Sequence, residues 1–169
     1  MNSVILLDPR PEWPQHFRDA AAQLHTAFAA TPIQIEHIGS TAVPNLCAKP
    51  ILDILLGAPD LPSIIAKIPQ LGVLGYRYKP EHERVIPERR YFSRPAADTP
   101  AVHLHAVVHG SLIWRRHLAF RDALRSNPEL THQYAELKRR LATLHAADRA
   151  AYTDAKGPFI AQVLAAGET

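Results

Sequence analysis

Three short stretches of this 169-residue chain carry side chains that could do chemistry. The first is Gly39-Ser40-Thr41. A glycine lets backbone approach a ligand, and successive loop N–H groups can form an anion-binding concavity. Ser40 and Thr41 add hydroxyls, and Lys49 adds a cation a few residues on. These groups suit phosphate. The second is Asp53, set in the apolar run Ile51-Leu52-Asp53-Ile54-Leu55-Leu56. A buried carboxylate without partners is costly, or it gives up its charge. Beside a phosphate, a carboxylate commonly holds a divalent cation that bridges the two anions. The third is His103-Leu104-His105. On a strand the two imidazoles lie on one face, within the span that two ligands of one metal can reach.

Each stretch also has a plainer reading. Asp53 could form a structural ion pair with Lys49 or an arginine. It could equally accept N–H bonds from the loop after Ser40 and fix its shape. Spacing alone leaves structural and functional roles level. His103 and His105 could line a polar, half-exposed face and bind nothing, a reading that weakens once a carboxylate on another strand can join them. Arg84, Arg89, Arg90 and Arg94 cluster in one segment, which reads as a solvated basic loop unless it folds over the Gly-Ser turn. In that event Arg90 is assigned to phosphate. His16, His25, His117, His132 and His145 fall on helical patterns and read as surface or packing residues. His109 reads as a turn residue.

The elements that must position these groups follow from periodicity. Residues 3–7 ("SVILL") read as a short strand. Phe17, Ala20, Ala21, Leu24 and Phe28 recur at helical spacing, so residues 11–30 form an amphipathic helix. Residues 33–38 alternate as a half-buried strand closed by Gly39-Ser40. Residues 51–56 are apolar throughout, as in a central strand covered on both faces. Residues 61–71 read as a helix, "GVLGYRYKP" as a strand and the arginine-rich stretch as a hairpin. In residues 101–108, Val102, Leu104 and Ala106 share one face and His103, His105 and Val107 the other. A helix follows from Leu112. Asn127-Pro128 starts another, with Ser126 or Asn127 as N-cap and apolar residues at 130, 134, 137, 141 and 144. Pro158 interrupts or kinks the C-terminal part. The layout is α/β (α+β): a small mixed sheet with helices packed on it and a helical C-terminal third.

Composition narrows the class. Apolar residues make up 47% and charged ones 21%, the globular range. The length suits one domain over residues 1–169. No stretch is apolar enough to span a bilayer, and the N-terminus lacks a signal peptide's layout, so the cytoplasm is the expected compartment. The single Cys47 excludes an internal disulfide framework and reads as a loop-packing residue. The net charge of +3 hints only faintly at an anionic ligand. There is no G-x-S-x-G elbow and no P-loop. The arginines lack interleaved aromatics, so nucleic acid is not an expected partner.

The blocks "EHIGSTAVPNLCAKPILDILL", "HLHAVVHGS", "LAFRDALRSNPELTHQYAELKRRLA" and "YTDAKGPFI" resemble, in order, those of the GrpB family. These small bacterial proteins are related to the nucleotidyltransferase fold and are sometimes fused to dephospho-CoA kinase. The resemblance implies a nucleotidyltransferase-like core. It makes Gly39-Ser40 the counterpart of that superfamily's phosphate-binding turn and Asp53 the first acid of its metal-binding pair. Two positions depart from the pattern. Leu55 stands where the second acid belongs, and the strand that should offer a third acid offers His103 and His105. One aspartate with two histidines suits a single transition metal better than two hard cations.

The expectation is therefore transfer of a nucleotidyl or phosphoryl group to a small acceptor. Asp53 and Lys49 are its catalytic residues. Gly39, Ser40, Thr41, Lys49 and Arg90 bind a nucleotide or other phosphorylated small molecule. Asp53, His103 and His105 hold a divalent ion: zinc, manganese or magnesium. A homodimer is left open. The competing expectations are a nucleotide- or metal-binding accessory module that has lost the chemistry, favoured by Leu55, and a scaffold with Asp53 in a structural ion pair.

Overall fold

Five strands form one mixed sheet in the computed structural model, which describes residues 4–167. Helix α1 (Trp13–Phe28) comes first, with Pro14 in its opening turn, where a missing N–H does no harm. Ala20, Leu24 and Phe28 recur every four residues and are buried, so one stripe of α1 faces the core. Strands β1 (Gln34–Ile38) and β2 (Ile51–Ala58) pair antiparallel. Between them the chain makes a single 3-10 turn, Ser40–Ala42.

The segment expected as one helix over residues 61–71 is two short ones, α2 (Leu61–Ile65) and α3 (Ile68–Val73). Pro69 explains the break. In a continuous helix its ring would strike the carbonyl of Ile65, and it has no N–H to bond it. Proline is instead tolerated in the first turn of α3. The next strand, β3 (Arg77–Tyr78), is shorter than expected. The arginine-rich stretch is not a hairpin in itself: it supplies one strand, β4 (Arg89–Arg94), which pairs with β3 and with β5 (Ala101–Val108).

The strand order is β1-β2-β5-β4-β3, with β2 and β5 parallel and every other pair antiparallel. Strand alternation then sorts the side chains. Leu52, Ile54 and Leu56 of β2, with Val102, Leu104 and Ala106 of β5 and Phe92 of β4, are buried in the cluster that includes α1 residues, Ile64 and Leu71. The opposite face carries Asp53, Leu55, His103, His105 and Val107.

That second face lies toward the C-terminal helices α4 (Leu112–Ser126), α5 (Pro128–Leu144), α6 (Arg149–Asp154) and α7 (Gly157–Gly167). Three are capped by side chains. Ser111, Asn127 and Asp148 accept from the backbone N–H of Trp114, Leu130 and Ala151. Asn127 is thus the cap, with Pro128 at the first position. Pro158 marks an interruption rather than a kink: α6 ends at Asp154 and Pro158 sits in the opening turn of α7. Trp114 of α4 packs with Ile38, Leu55 and Val107, so half of the second face is apolar core.

The N-terminal segment forms no regular strand among the described residues. Leu7 makes an isolated bridge to Ala48, and Ser3 lies outside the described residues. No helix among the described residues is long and apolar enough to cross a membrane.

Candidate functional site

Asp53 faces His103 and His105. Its residue pairs with His103 in the parallel register of β2 and β5, and His105 lies two residues on along the same face. The Asp53 Oδ1 is 3.5 Å from His103 Nδ1 and 3.4 Å from His105 Nε2. The Tyr91 ring of β4 packs against both imidazoles, with centroids 5.6 and 5.3 Å away. Burial works against a charge on Asp53, but the hydrogen bonds of the two histidines outweigh it. Its carboxyl is held well below the usual carboxylate range. Burial pushes His105 down to about 4. At neutral pH the pair is therefore a carboxylate and a neutral imidazole. His105 Nδ1 lies 3.3 Å from Arg89 Nη1, which can only donate. The proton of His105 accordingly sits on Nε2, toward Asp53.

Gly39 is fixed by this arrangement. Ile38 pairs with Asp53 across β1 and β2, so the turn begins directly beside the carboxylate. A Cβ on Gly39 would lie 2.5 Å from Asp53 Oδ2 and 2.9 Å from its Cβ. The backbone there has φ +70° and ψ −172°, a region open essentially to glycine alone.

A cavity of about 390 Å³ opens over the carboxylate. The Asp53 side chain is 29% exposed, enough for a ligand to touch it. Lys49, Arg89, Lys138, Arg149 and Lys156 line this cavity, with Asp53 as its one acid among the described residues. The lysines are held in strained protonation. Burial lowers Lys138 to about 7 and, helped by the charge of Lys49, Lys156 to about 8. Burial and Arg149 lower Lys49 as well. Lys49 and Lys156 both lie over the Tyr152 ring, at 5.3 and 4.7 Å. Lys138 Nζ donates to Ser40 Oγ at 2.7 Å and to the Cys47 carbonyl, tying α5 to the loop after β1. Arg89 Nε is buried with no hydrogen-bond partner. An anion entering here would meet an uncompensated field.

The expected residues divide cleanly. Asp53, His103, His105, Ser40 and Lys49 all line the cavity, and Gly39 presses on the carboxylate from the side. Thr41 does not line it. Its hydroxyl is 2.9 Å from His37 Nε2, whose ring stacks on Phe17. Arg90 does not line it either. It pairs with Glu83 at 3.3 Å and donates to the Pro87 carbonyl, because alternation puts it on the Phe92 face. Arg89, one residue earlier, is the β4 arginine that reaches the site. Lys138, Arg149 and Lys156 went unassigned in the sequence. A signal existed for one of them. Lys138 lies four residues from Tyr134 and three from Leu141, on the buried stripe of α5, where a lysine needs a reason.

The donor set suits a transition metal in type, and the two N···O separations match the ~3.4 Å between two ligands of one tetrahedral ion. The geometry is not yet a cage. Among the described residues no group of three or more histidine, cysteine or acidic side chains is placed to hold a metal ion. For His105 to ligate through Nε2, its proton would have to leave that nitrogen while Arg89 faces the other.

Comparison with known proteins now bears on the chain as a whole. Residues 3–166 match the family described as GrpB protein. The chain belongs to the GrpB family. A crystal structure of the conserved protein GrpB from Enterococcus faecalis superposes with a TM-score of 0.85, at 31% identity over 96% of both chains. A UPF0157 protein of Pseudomonas aeruginosa is 38% identical over 95% of this chain, which spans 66% of that relative's length. A Mycobacterium leprae protein named dephospho-CoA kinase is 28% identical over 92% of this chain, which spans 44% of it. Membership of the GrpB family is consistent with the nucleotidyltransferase-like core that the resemblance implies.

Proposed function

We propose that the cavity over Asp53 binds a nucleoside triphosphate, or another small phosphorylated molecule, and that its nucleotidyl or phosphoryl group passes to a small acceptor beside Asp53. One observation carries this: five basic side chains converge on a cavity holding a single carboxylate. Lysines with lowered pKa recover their full charge when a polyanion arrives, so the protein gains most from a ligand with several phosphates. In the nucleotidyl reaction the acceptor's oxygen or nitrogen forms a bond to the α-phosphorus as the bridging bond to pyrophosphate breaks. The electron pair leaves with pyrophosphate, and the acceptor's proton is lost to water. Lys49, Lys138 and Arg89 hold the phosphate oxygens and offset their charge. Ser40, held by Lys138, fixes the turn that borders them. A divalent ion on Asp53 and the two histidines would offset further charge on the phosphate oxygens.

An accessory module that binds nucleotide without transferring it is the second reading. Leu55 favours it, since the position of a second acid is filled by buried core. The match to less than half of a protein named dephospho-CoA kinase supports it too.

The test is isothermal titration with ATP and Mg²⁺ or Mn²⁺ at pH 7.5, in buffers of different ionisation enthalpy. The expected result is binding with proton uptake, reduced most in Lys138→Met because that lysine is lowered furthest, and binding weakened about tenfold or more in Arg89→Ala. Absence of ATP binding in the wild type would refute the proposal. Binding without release of pyrophosphate in the presence of candidate acceptors would leave the accessory reading.

A further inference from the structure

A second cavity, of about 560 Å³, opens from the same carboxylate. It shares Asp53, His105 and Thr153 with the cationic cavity. Its walls are different in kind. Ile38 ends β1, Ile113 and Phe120 come from α4, and Ile160 and Leu164 come from α7. The volume falls within the ~300–1,000 Å³ of ordinary small-molecule sites. The polar side chains of its lining are Asp53, His105 and Thr153 at the shared wall, with Arg116, His117 and Tyr134 beyond it. His117 Nδ1 donates to the Ile113 carbonyl at 2.8 Å, which leaves Nε2 as an acceptor. Its ring lies 5.6 Å from that of His105.

We propose that this apolar compartment seats the acceptor of the transfer reaction, and that the acceptor is a small alcohol or amine with an aliphatic or aromatic body. The inference rests on the transfer reading above. Three observations lead to it. The compartment and the cationic cavity share Asp53, so its occupant and a phosphate would meet at the same carboxylate. The isoleucine and leucine walls favour an apolar body, at roughly 25 cal/mol for each Å² removed from water. Where the compartment joins the cationic cavity it offers Asp53, His105 and Thr153 to a hydroxyl or amine, while Arg116, an exposed residue, is a further polar group in its lining. A nucleobase has its own surface elsewhere, since His82 and Tyr91 present paired rings, 4.4 Å apart, in the cationic cavity.

The probe is 4-phenylbutan-1-ol, followed by ligand-observed NMR and calorimetry on the full chain, with and without ATP and Mg²⁺. Butylbenzene, which lacks the hydroxyl, is the comparison. The alcohol should bind, bind more tightly than butylbenzene, and remain bound when ATP is saturating. Ala161→Trp, which fills the mouth from the exposed side of α7, should weaken the alcohol about tenfold or more and leave ATP binding intact. Leu164→Ala gives a second reading of the same wall if the tryptophan does not fold. ATP binding without alcohol binding overturns the acceptor assignment and leaves the nucleotide reading standing. Displacement of the alcohol by ATP overturns it in favour of the nucleobase. Alcohol affinity that falls as protein concentration rises, with a dimer in sedimentation, overturns it in favour of a second copy. Alcohol binding without ATP binding removes the transfer reading and the assignment with it.

Discussion

Replacing Gly39 with alanine should unfold a large part of the protein's stability margin, and the loss divides into two parts. The first is backbone. With φ +70° and ψ −172°, residue 39 sits where a side chain costs about 1–3 kcal/mol. The second is contact. The new methyl would lie 2.5 Å from Asp53 Oδ2 and 2.9 Å from Asp53 Cβ. The carboxylate could swing aside, but its Cβ cannot move without shifting β2. A swing would also carry Oδ1 away from His103 and His105. Forced overpacking of this kind costs about 1–3 kcal/mol. The sum, roughly 2–6 kcal/mol, is a large share of the ~5–15 kcal/mol of a typical domain.

Gly110 is the internal control. It too has positive φ, +73°, but a Cβ there meets nothing within 4 Å. Gly110→Ala should therefore show the backbone part alone, about 1–2 kcal/mol. Urea unfolding of both variants, read as midpoints at constant slope, separates the two parts. If Gly39→Ala comes within about 0.5 kcal/mol of Gly110→Ala, the close approach of the turn to the carboxylate is not a constraint, and the reasoning fails.

Asp53→Asn should leave the unliganded protein near its normal stability but lose most of the thermal stabilisation given by ATP with Mn²⁺; equal shifts in variant and wild type would show that the carboxylate plays no part in binding. His37, pushed down to about 4 by burial and by Arg125, has an unfolded value near 6.5. The unfolded chain thus binds more protons between those values, so the His37 contribution is full above about pH 6.5 and is lost as pH falls toward 4. His37→Gln should flatten the fall in stability over that window, by roughly 3 kcal/mol at most, and an unchanged slope in acid urea titrations would contradict this. Leu55→Asp should cost more than about 4 kcal/mol, because Leu55 is fully buried among Ile38, Val107 and Trp114; a variant that folds normally and gains nucleotidyl transfer would reverse the assignment of that position to core.

How much of this was legible in the sequence depended on range. Strands β1, β2 and β5 were readable because alternation is local, and the same alternation put Asp53, His103 and His105 on one face. The register that sets Asp53 opposite His103 was not readable, since it depends on β2 and β5 meeting across about fifty residues of intervening chain. A one-residue slip would have turned the histidines toward α1. Arg90 was preferred over Arg89 because nothing local fixes the phase of β4, whose polar residues occupy both faces. Lys138, Arg149 and Lys156 were missed for a different reason. They come from helices whose placement over the sheet is decided by packing, and only the position of Lys138 on an apolar stripe announced itself.

The buried aspartate that stands out in the sequence is compensated in two stages. The near stage is two imidazoles on the adjacent strand, whose hydrogen bonds keep the carboxyl ionised without neutralising it. At 3.4 and 3.5 Å the contacts are long for charge-assisted bonds, and His105 is neutral near pH 7. The far stage is the ring of Lys49, Arg89, Lys138, Arg149 and Lys156, and it is excessive. A structural ion pair would need one cation in contact, and a stability-driven site would not bury lysines at the expense of their charge. The surplus is arranged around empty space rather than around the carboxylate. That geometry suits a site built for an anion larger than Asp53, with the aspartate left to meet whatever accompanies the anion's phosphates. Leu55 has no place in that arrangement: it is packed with Ile38, Val107 and Trp114 in apolar core and does not line the cavity.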